Sequence, residues 1–170
     1  MRKGWSICIM ADLLTEADCD LGSTAMGDVL KRASRPVITV EKGTTVEAAV
    51  RTMVRHRIGA VLVMEGERIC GIFTERDLME KVVLGRLDPS RTGVEAVMTT
   101  PVLTARVDGE EGAAVDTMVD RHIRHLPVVD REERVVGMLS FRHVMADRIE
   151  DLKHEVVALE SYLLYDGATG

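Results

Sequence analysis

Residues 48–54 read AAVRTMV, and residues 113–119 read AAVDTMV, so six of seven positions are identical. The same offset of 65 residues aligns Pro36-Val37 with Pro101-Val102. A repeat of this length is typical of a duplicated folding unit. Because each copy alone is small for a stable core, we expect the two copies to bury a shared face against each other.

The first copy predicts the order strand, helix, strand, strand, helix. A short β-rich segment at residues 37–40 precedes Thr44-x-x-Glu47, which has the pattern of a capping box that opens a helix. A hairpin is expected from two apolar runs at residues 60–64 and 69–73, and a second helix after Thr74. The first helix should bury one face, formed by Val46, Ala49, Val50, Met53 and Val54.

The second copy repeats these signals. Asp108-x-x-Glu111 is the equivalent capping box, residues 126–129 and 135–139 form the equivalent hairpin, and a helix follows Ser140. The predicted fold class is therefore α/β (α+β), with tandem repeats around small mixed sheets. We divide the chain into an N-terminal extension (1–25), a first repeat (26–85), a second repeat (86–150) and a C-terminal helix extension with its tail (151–170).

Composition excludes several classes of function. The 170-residue chain is 46% hydrophobic, enough for a core, and its net charge of −6 includes no Lys/Arg tract of the kind that binds a phosphate backbone. Aromatic residues make up only 3%, so a stacking platform for bases is missing. No apolar run reaches the roughly 20 residues that span a bilayer. Three cysteines without a CxxC pair favour a reducing cytoplasm. We therefore expect a cytoplasmic protein that binds neither nucleic acid nor membrane.

Two segments carry a resemblance to a known family. Residues 71–77, GIFTERD, and residues 125–130, HLPVVD, resemble the cystathionine-β-synthase (CBS) domain family, and the resemblance covers about residues 26 to 150. It implies a stand-alone pseudo-twofold pair of repeats, often called a Bateman module, which frequently forms homodimers. In that family the clefts between repeats bind AMP, ADP, ATP, S-adenosylmethionine or NAD(H), no cofactor is obligatory, and the module regulates a separate effector protein without catalysis.

The resemblance also implies which residues bind a ligand. In the first cleft, Asp77 would accept hydrogen bonds from the ribose hydroxyls and Thr74 would lie near ribose or phosphate. The base would be enclosed, and the phosphate offered cations, by Ile72, Leu103, Ile123, Arg124 and His125. Two structural alternatives stay open. Thr74-x-x-Asp77 is also a plain helix cap, and Arg124 and His125 also fit a solvated rim.

The second cleft departs from the family pattern, because His143 stands where the first copy has Asp77. A neutral imidazole offers one acceptor nitrogen, whereas a carboxylate accepts from two hydroxyls at once. We therefore expect about one tightly bound nucleotide per chain. The second cleft is either empty, or takes a differently shaped ligand, or uses protonated His143 toward a phosphate. Its residues would be Ile38, Ile58, Gly59, Ala60, Ser140 and His143.

Other chemistry has little support. The five histidines include no HxxxH pair and no Cys-His spacing typical of a metal site. Cys70 lies within an apolar strand, and no nucleophile elbow or phosphate loop is present, so no catalytic residue is assigned. The chain is therefore predicted not to be an enzyme.

The C-terminal residues predict a partner helix. Apolar residues alternate at four- and three-residue spacing, which is typical of a coiled-coil seam, and charged residues fill the other faces. We expect this helix to pair two subunits in a homodimer, or to pack on its own module. The alternative to a nucleotide sensor is therefore a ligand-independent structural or oligomerisation protein. The seam comprises Met145, Ile149, Leu152, Val156, Leu159 and Leu163.

Overall fold

The computed structural model of the chain describes Met26 and residues 37–166, with the backbone alone for residue 155 and residues 159–166. The N-terminal extension 1–25 and the last four residues lie outside the described residues. In chain order the helices and strands are β1 (Thr39–Glu41), α1 (Val46–His56), β2 (Ala60–Glu65), β3 (Arg68–Thr74), α2 (Glu75–Asp77, continued by a π-helix at Leu78–Val83), a 3₁₀ turn (Val94–Ala96), β4 (Ala105–Arg106), α3 (Glu111–Asp120), β5 (His125–Val129), β6 (Val135–Ser140) and α4 (Phe141–Asp166).

Two three-stranded sheets repeat one topology. In the first sheet, the middle strand β2 runs parallel to β1 and antiparallel to β3, and in the second sheet β5 has the same relation to β4 and β6. Ala60, the first residue of β2, lies opposite Thr74, and His125 lies opposite Ser140 in the same way. The structure confirms the predicted tandem α/β fold. In each sheet, the start of the middle strand therefore lies beside the end of the third strand, where the next helix begins.

Helix α1 begins and ends at residues suited to those positions. The side chain of Thr45 accepts a hydrogen bond from the Ala48 amide at 3.3 Å, and Arg57 ends the helix in the left-handed conformation, at φ 53°. The cap is therefore Thr45, one residue later than the predicted Thr44. Val54, predicted on the buried face, is 71% exposed. The face of α1 that the structure buries is narrower than the face formed by all its apolar residues.

Helix α3 begins differently from α1. Glu110 occupies the cap position and no side chain there makes a capping hydrogen bond. Asp108, predicted to open this helix, instead accepts hydrogen bonds from Arg106 at 3.0 Å and Arg131 at 3.1 Å. The predicted capping box of the second copy is wrong, because these two guanidinium groups engage the carboxylate.

Each repeat has its own core, and each core also contains residues from the beginning of the other repeat. Val94 and Val97, which lie between the two sheets in sequence, are fully buried in the core of the first repeat. Backbone hydrogen bonds from Val46 to Thr92 and from Val94 to Thr44 tie this connection to the start of α1. Met26 is fully buried in the second core.

A third cluster lies between the two sheets and joins the repeats. Its buried members come from β2 and β3 of the first sheet, and residues from β6 of the second sheet pack against them. Burial of this shared apolar face stabilises the pair, as expected for two small units. The buried members are Ala60, Leu62, Met64 and Ile72.

Helix α4 is the long C-terminal helix that the sequence predicts. Val144 is fully buried in the second core and Met145 packs against that core, whereas Ile149, Leu152 and Val156 are each more than half exposed. Among the helices that the structure describes, none is long and apolar enough to cross a lipid bilayer.

Candidate ligand-binding site

A cavity of about 750 Å³ lies between the repeats, where the middle strands of the two sheets begin. Its volume falls within the range of roughly 300–1,000 Å³ typical of small-molecule sites. Residues of both repeats line it, so that a bound molecule would contact both. The lining residues are Ile38, Val50, Met53, Val54, Arg57, Ile58, Gly59, Ala60, Glu75, Leu78, Arg124, His125, Met138, Ser140, Phe141, Arg142 and His143.

The lining of the cavity consists mainly of apolar and basic residues. Ile38, Val50, Met53 and Ile58 supply an aliphatic wall from the first repeat. The basic groups are Arg57, Arg124, Arg142, His125 and His143, against one carboxylate, Glu75, among the described residues of the lining. This combination can hold a molecule with one apolar ring and one anionic group.

Two matching backbone hydrogen bonds fix the helix starts at this cavity. The Glu75 amide donates to the Gly59 carbonyl oxygen at 3.0 Å, and the Phe141 amide donates to the Arg124 carbonyl oxygen at 3.0 Å. Each bond connects the first residue of a helix with the residue just before the middle strand of the same sheet. The side chains of the first helical turns are thereby held beside the cavity, including those of Glu75 and His143.

His125 lies half-buried at the start of β5, in this cavity. Burial lowers its pKa, the nearby Arg124 guanidinium lowers the pKa further, and Glu75 partly opposes both effects. The imidazole is therefore neutral at neutral pH and presents one donor and one acceptor nitrogen. It can bind a polar group of a ligand without adding a positive charge.

Asp77 lies in a closed hydrogen-bond network instead. One oxygen, Oδ2, accepts from the Thr74 hydroxyl at 2.6 Å and the Thr74 amide at 2.9 Å. The other, Oδ1, accepts from the Thr99 hydroxyl at 2.7 Å and pairs with the Lys81 ammonium at 2.7 Å. Burial alone would raise the pKa of Asp77, but the bonds from Lys81, Thr74 and Thr99 outweigh it and lower the pKa. Asp77 is only 5% exposed, so binding a ribose there requires breaking bonds that already exist.

The equivalent positions in the second repeat are His143 and, one turn later, Asp147. His143 is half-buried and lines the cavity. Atom Oδ2 of Asp147 is buried and has no hydrogen-bond partner among the described residues. The order of acid and base along the helix is thus reversed between the repeats, since Asp77 precedes Lys81 but His143 precedes Asp147.

The structure separates the residues predicted for the first cleft. Arg124 and His125 line the cavity together with all six residues predicted for the second cleft. The others lie elsewhere: Ile72 exchanges backbone hydrogen bonds with Thr99, Leu103 is 42% exposed and Ile123 packs against the second core. A ligand role for Ile72, Thr74, Asp77, Leu103 and Ile123 stays a prediction.

Sequence reasoning did not select Glu75 or Arg142, although both line the cavity. Glu75 directly follows the last residue of β3, and Arg142 is the second residue after the end of β6. Both lie in the first turn of a helix. Their position beside Thr74 and Ser140 was the available signal, because neighbouring residues of a first helical turn surround the same strand end.

Comparison with known proteins gives a consistent result. The family model for the CBS domain matches twice, at residues 26–84 and 94–149. An uncharacterized protein of Methanopyrus kandleri is 36% identical over 124 residues, which are 72% of this chain and 62% of that protein. The chain therefore spans less than two thirds of the length of that relative.

Solved structures show the same fold. A protein with CBS domains from Burkholderia ambifaria superposes with a TM-score of 0.71 at 34% identity, over 75% of this chain and 96% of that one. A CBS domain protein from Pyrobaculum aerophilum, solved in complex with AMP, superposes with a TM-score of 0.64 at 23% identity, over 71% and 89% of the two chains.

Proposed function

Because this chain belongs to the CBS domain family, we propose that it is a regulatory module without catalytic activity that binds an adenine nucleotide and signals to a separate effector protein. CBS domain pairs are generally regulatory modules that bind nucleotides. The observation that carries the proposal is the cavity between the repeats, with its aliphatic wall and its surplus of basic groups.

The base and the phosphate of a nucleotide each have a suitable counterpart in this cavity. Ile38, Met53 and Ile58 would enclose the adenine ring, which needs apolar walls where aromatic stacking is missing. Arg57 and Arg142 would bind the phosphate through charge-assisted hydrogen bonds. The structure known with AMP bound has the same fold, which supports this ligand class.

Charge argues for a phosphate-bearing ligand over S-adenosylmethionine. Among the described residues, three arginines and one carboxylate face the cavity, so its net charge is positive and a sulfonium cation placed there would be repelled. AMP, ADP, ATP and NAD(H) all carry phosphate groups and remain in the proposed class.

Contact with both repeats supplies a means of regulation. A ligand held by Arg57 of the first repeat and Arg142 of the second favours the relative orientation that satisfies both. It shifts the population of that orientation in proportion to its differential affinity. An effector protein that recognises one orientation would then respond to the nucleotide.

Calorimetry with two histidine variants tests the proposal. We expect the wild-type chain to bind AMP, ADP or ATP with about one site per chain. His143→Ala, which removes a polar group from the cavity, should weaken binding about tenfold, since one hydrogen bond to a charged group contributes roughly 1.5–3 kcal/mol. His154→Ala is the matched control, because His154 lies on the same helix and its side chain is 78% exposed. No binding of any of the three nucleotides at millimolar concentration would reject the proposal.

Asp77→Ala distinguishes this cavity from the cleft predicted around Asp77. If the nucleotide binds in the cavity, the variant should retain wild-type affinity at temperatures where it is folded. If affinity falls at least tenfold while His143→Ala binds normally, the ligand belongs beside Asp77. The same titration thus decides between the two locations.

A second candidate function, ligand-independent assembly, is favoured by the surface of α4. Ile149, Leu152 and Val156 follow the seam spacing and are 54%, 53% and 52% exposed. Leaving these apolar side chains in water is unfavourable in free energy, so the helix surface is suited to a partner. The side chains of Leu159 and Leu163 lie outside the described residues. A homodimer would cover this stripe.

Sedimentation measures the assembly directly. Leu152→Asp should reduce the mass from dimer to monomer, because it places a charge in the apolar seam. Lys153→Glu is the control, since Lys153 lies off the seam and pairs with Glu150 at 3.4 Å. An unchanged mass in Leu152→Asp would reject pairing through this helix.

A further inference from the structure

One ion pair crosses between the repeats within the cavity lining. Atom Nη2 of Arg124, from the second repeat, lies 3.4 Å from Oε2 of Glu75, from the first repeat. Both side chains are more than half exposed, at 60% and 55%. An exposed pair of this kind contributes about 0–1 kcal/mol to stability. The pair therefore contributes little to folding, so either charge can be removed without unfolding the chain.

The position of Glu75 is nevertheless well defined. Its amide is held by the Gly59 carbonyl oxygen, and a Cβ placed on Gly59 would lie 3.1 Å from Oε2 of Glu75 and 3.2 Å from Cε1 of His125. The carboxylate and the imidazole thus lie against the backbone of Gly59 from opposite repeats. A side chain at residue 59 would push against both groups.

Glu75 is also opposite in charge to the rest of the polar lining. Every other ionisable group that faces the cavity from the described residues is an arginine or a histidine. One fixed negative charge in a basic site has two effects on an anionic ligand. It occupies Arg124 before the ligand arrives, and it repels each further negative charge that the ligand brings.

We propose that Glu75 is the residue that sets the phosphate preference of this cavity, so that a nucleoside monophosphate binds more tightly than the triphosphate. The inference rests on the proposed function. A monophosphate can be bound by Arg57 and Arg142 while the Glu75–Arg124 pair stays closed. A triphosphate brings additional charge that must either break this pair or lie close to the carboxylate. Specificity then arises from a repulsive element as well as from attraction.

Calorimetry with AMP and ATP on Glu75→Gln tests the inference. The wild-type chain should prefer AMP, and Glu75→Gln should raise the affinity for ATP about tenfold while that for AMP changes less than about threefold. Glu65→Gln is the matched control, because Glu65 also forms an exposed ion pair, with Lys42 at 2.9 Å, and does not line the cavity. Glu75→Ala should show the same shift in the ATP-to-AMP ratio, which a general effect on folding would not produce.

The outcomes are separable. If the wild-type chain binds AMP but Glu75→Gln and Glu75→Ala leave the ATP-to-AMP ratio unchanged, the role of Glu75 is rejected and the proposed function stands. A wild-type preference for ATP rejects the role of Glu75 as well. If the wild-type chain binds neither nucleotide, both the proposed function and the inference fail.

Discussion

Asp77 and His143 occupy the same position in the two repeats, but their surroundings differ. Asp77 is 5% exposed and its two oxygens accept hydrogen bonds or an ion pair from Thr74, Thr99 and Lys81. His143 is half-buried, lines a cavity of about 750 Å³ and lies one turn before Asp147. The backbone of the repeat is thus duplicated, whereas the chemistry of its strand-to-helix junction is not.

The difference shows what a duplicated fold leaves free to change. Both junctions need a polar residue beside the helix start, since its amide groups have no partners within the helix. In the first repeat one oxygen of Asp77 accepts from Thr74 at the helix start and the other binds Thr99 and Lys81, so both oxygens are engaged. In the second repeat His143 remains accessible, so a ligand can use it.

The largest loss of stability is expected in the two cores, where each repeat buries a residue that comes from the other repeat. Met26→Ala should destabilise the chain by about 3 kcal/mol, because Met26 is fully buried in the second core and its loss leaves a cavity. Val94→Ala should act similarly on the first core, though with a smaller deletion. Met79→Ala, at a side chain 56% exposed, is the control for urea unfolding. A change below about 0.5 kcal/mol for Met26→Ala would show that the cores are not equivalent.

A smaller effect should separate the two junctions. Asp77→Ala should cost about 2 kcal/mol in urea unfolding, because it removes the capping-box partner of Thr74 and the carboxylate that Lys81 and Thr99 contact. His143→Ala should change stability by less than about 0.5 kcal/mol, because the His143 side chain makes no hydrogen bond or ion pair within the described part of the chain. Equal losses in both variants would contradict the distinction between an engaged and an accessible junction.

The pH dependence of Asp77 follows from its lowered pKa. The folded state binds the proton more weakly than the unfolded state, whose carboxyl has a pKa near 3.8. The contribution of Asp77 is therefore complete above that value and is lost as the pH falls through the folded-state pKa. Asp77→Ala should lose this part of the acid transition.

The smallest effect concerns His125, where the two repeats meet. Its pKa is lowered in the folded chain, so the unfolded chain binds more protons below the ordinary value of 6.5. The contribution of His125 to stability should be complete above pH 6.5. It should decline as the pH falls from 6.5 toward the folded-state pKa. His125→Gln should flatten this slope in urea unfolding between pH 7 and acid. His154→Gln should retain the slope, and a slope unchanged in His125→Gln would assign the effect to another group.

Much of the fold could be predicted, because hydrophobic spacing and duplication report on local structure. The strands and helices of both repeats follow from periods of two and of three to four residues. The capping predictions at Thr44 and Asp108 were wrong, since the choice among adjacent polar residues depends on tertiary partners such as Arg131. Val54 was misplaced for a related reason: its exposure depends on what the folded chain places over it.

The site was harder to predict, because it depends on contacts between residues that are distant in sequence. The pairing of Asp77 with Thr99 and of Glu75 with Arg124 joins positions 22 and 49 residues apart. No local pattern indicates such pairs. The six residues predicted for the second cleft do line one cavity, although their part in binding stays a prediction. The sequence did not indicate that Arg124 and His125 would line the same cavity.

The exchange of core segments has a consequence for how the chain could be divided. Duplication copied a unit of 65 residues, yet the unit that completes each core is shifted relative to it, since Val94 and Val97 serve the first core and Met26 serves the second. The inherited unit and the folding unit therefore have different boundaries. A cut between residues 86 and 93 would leave the first half without Val94 and Val97, so each repeat needs part of its neighbour to complete its core.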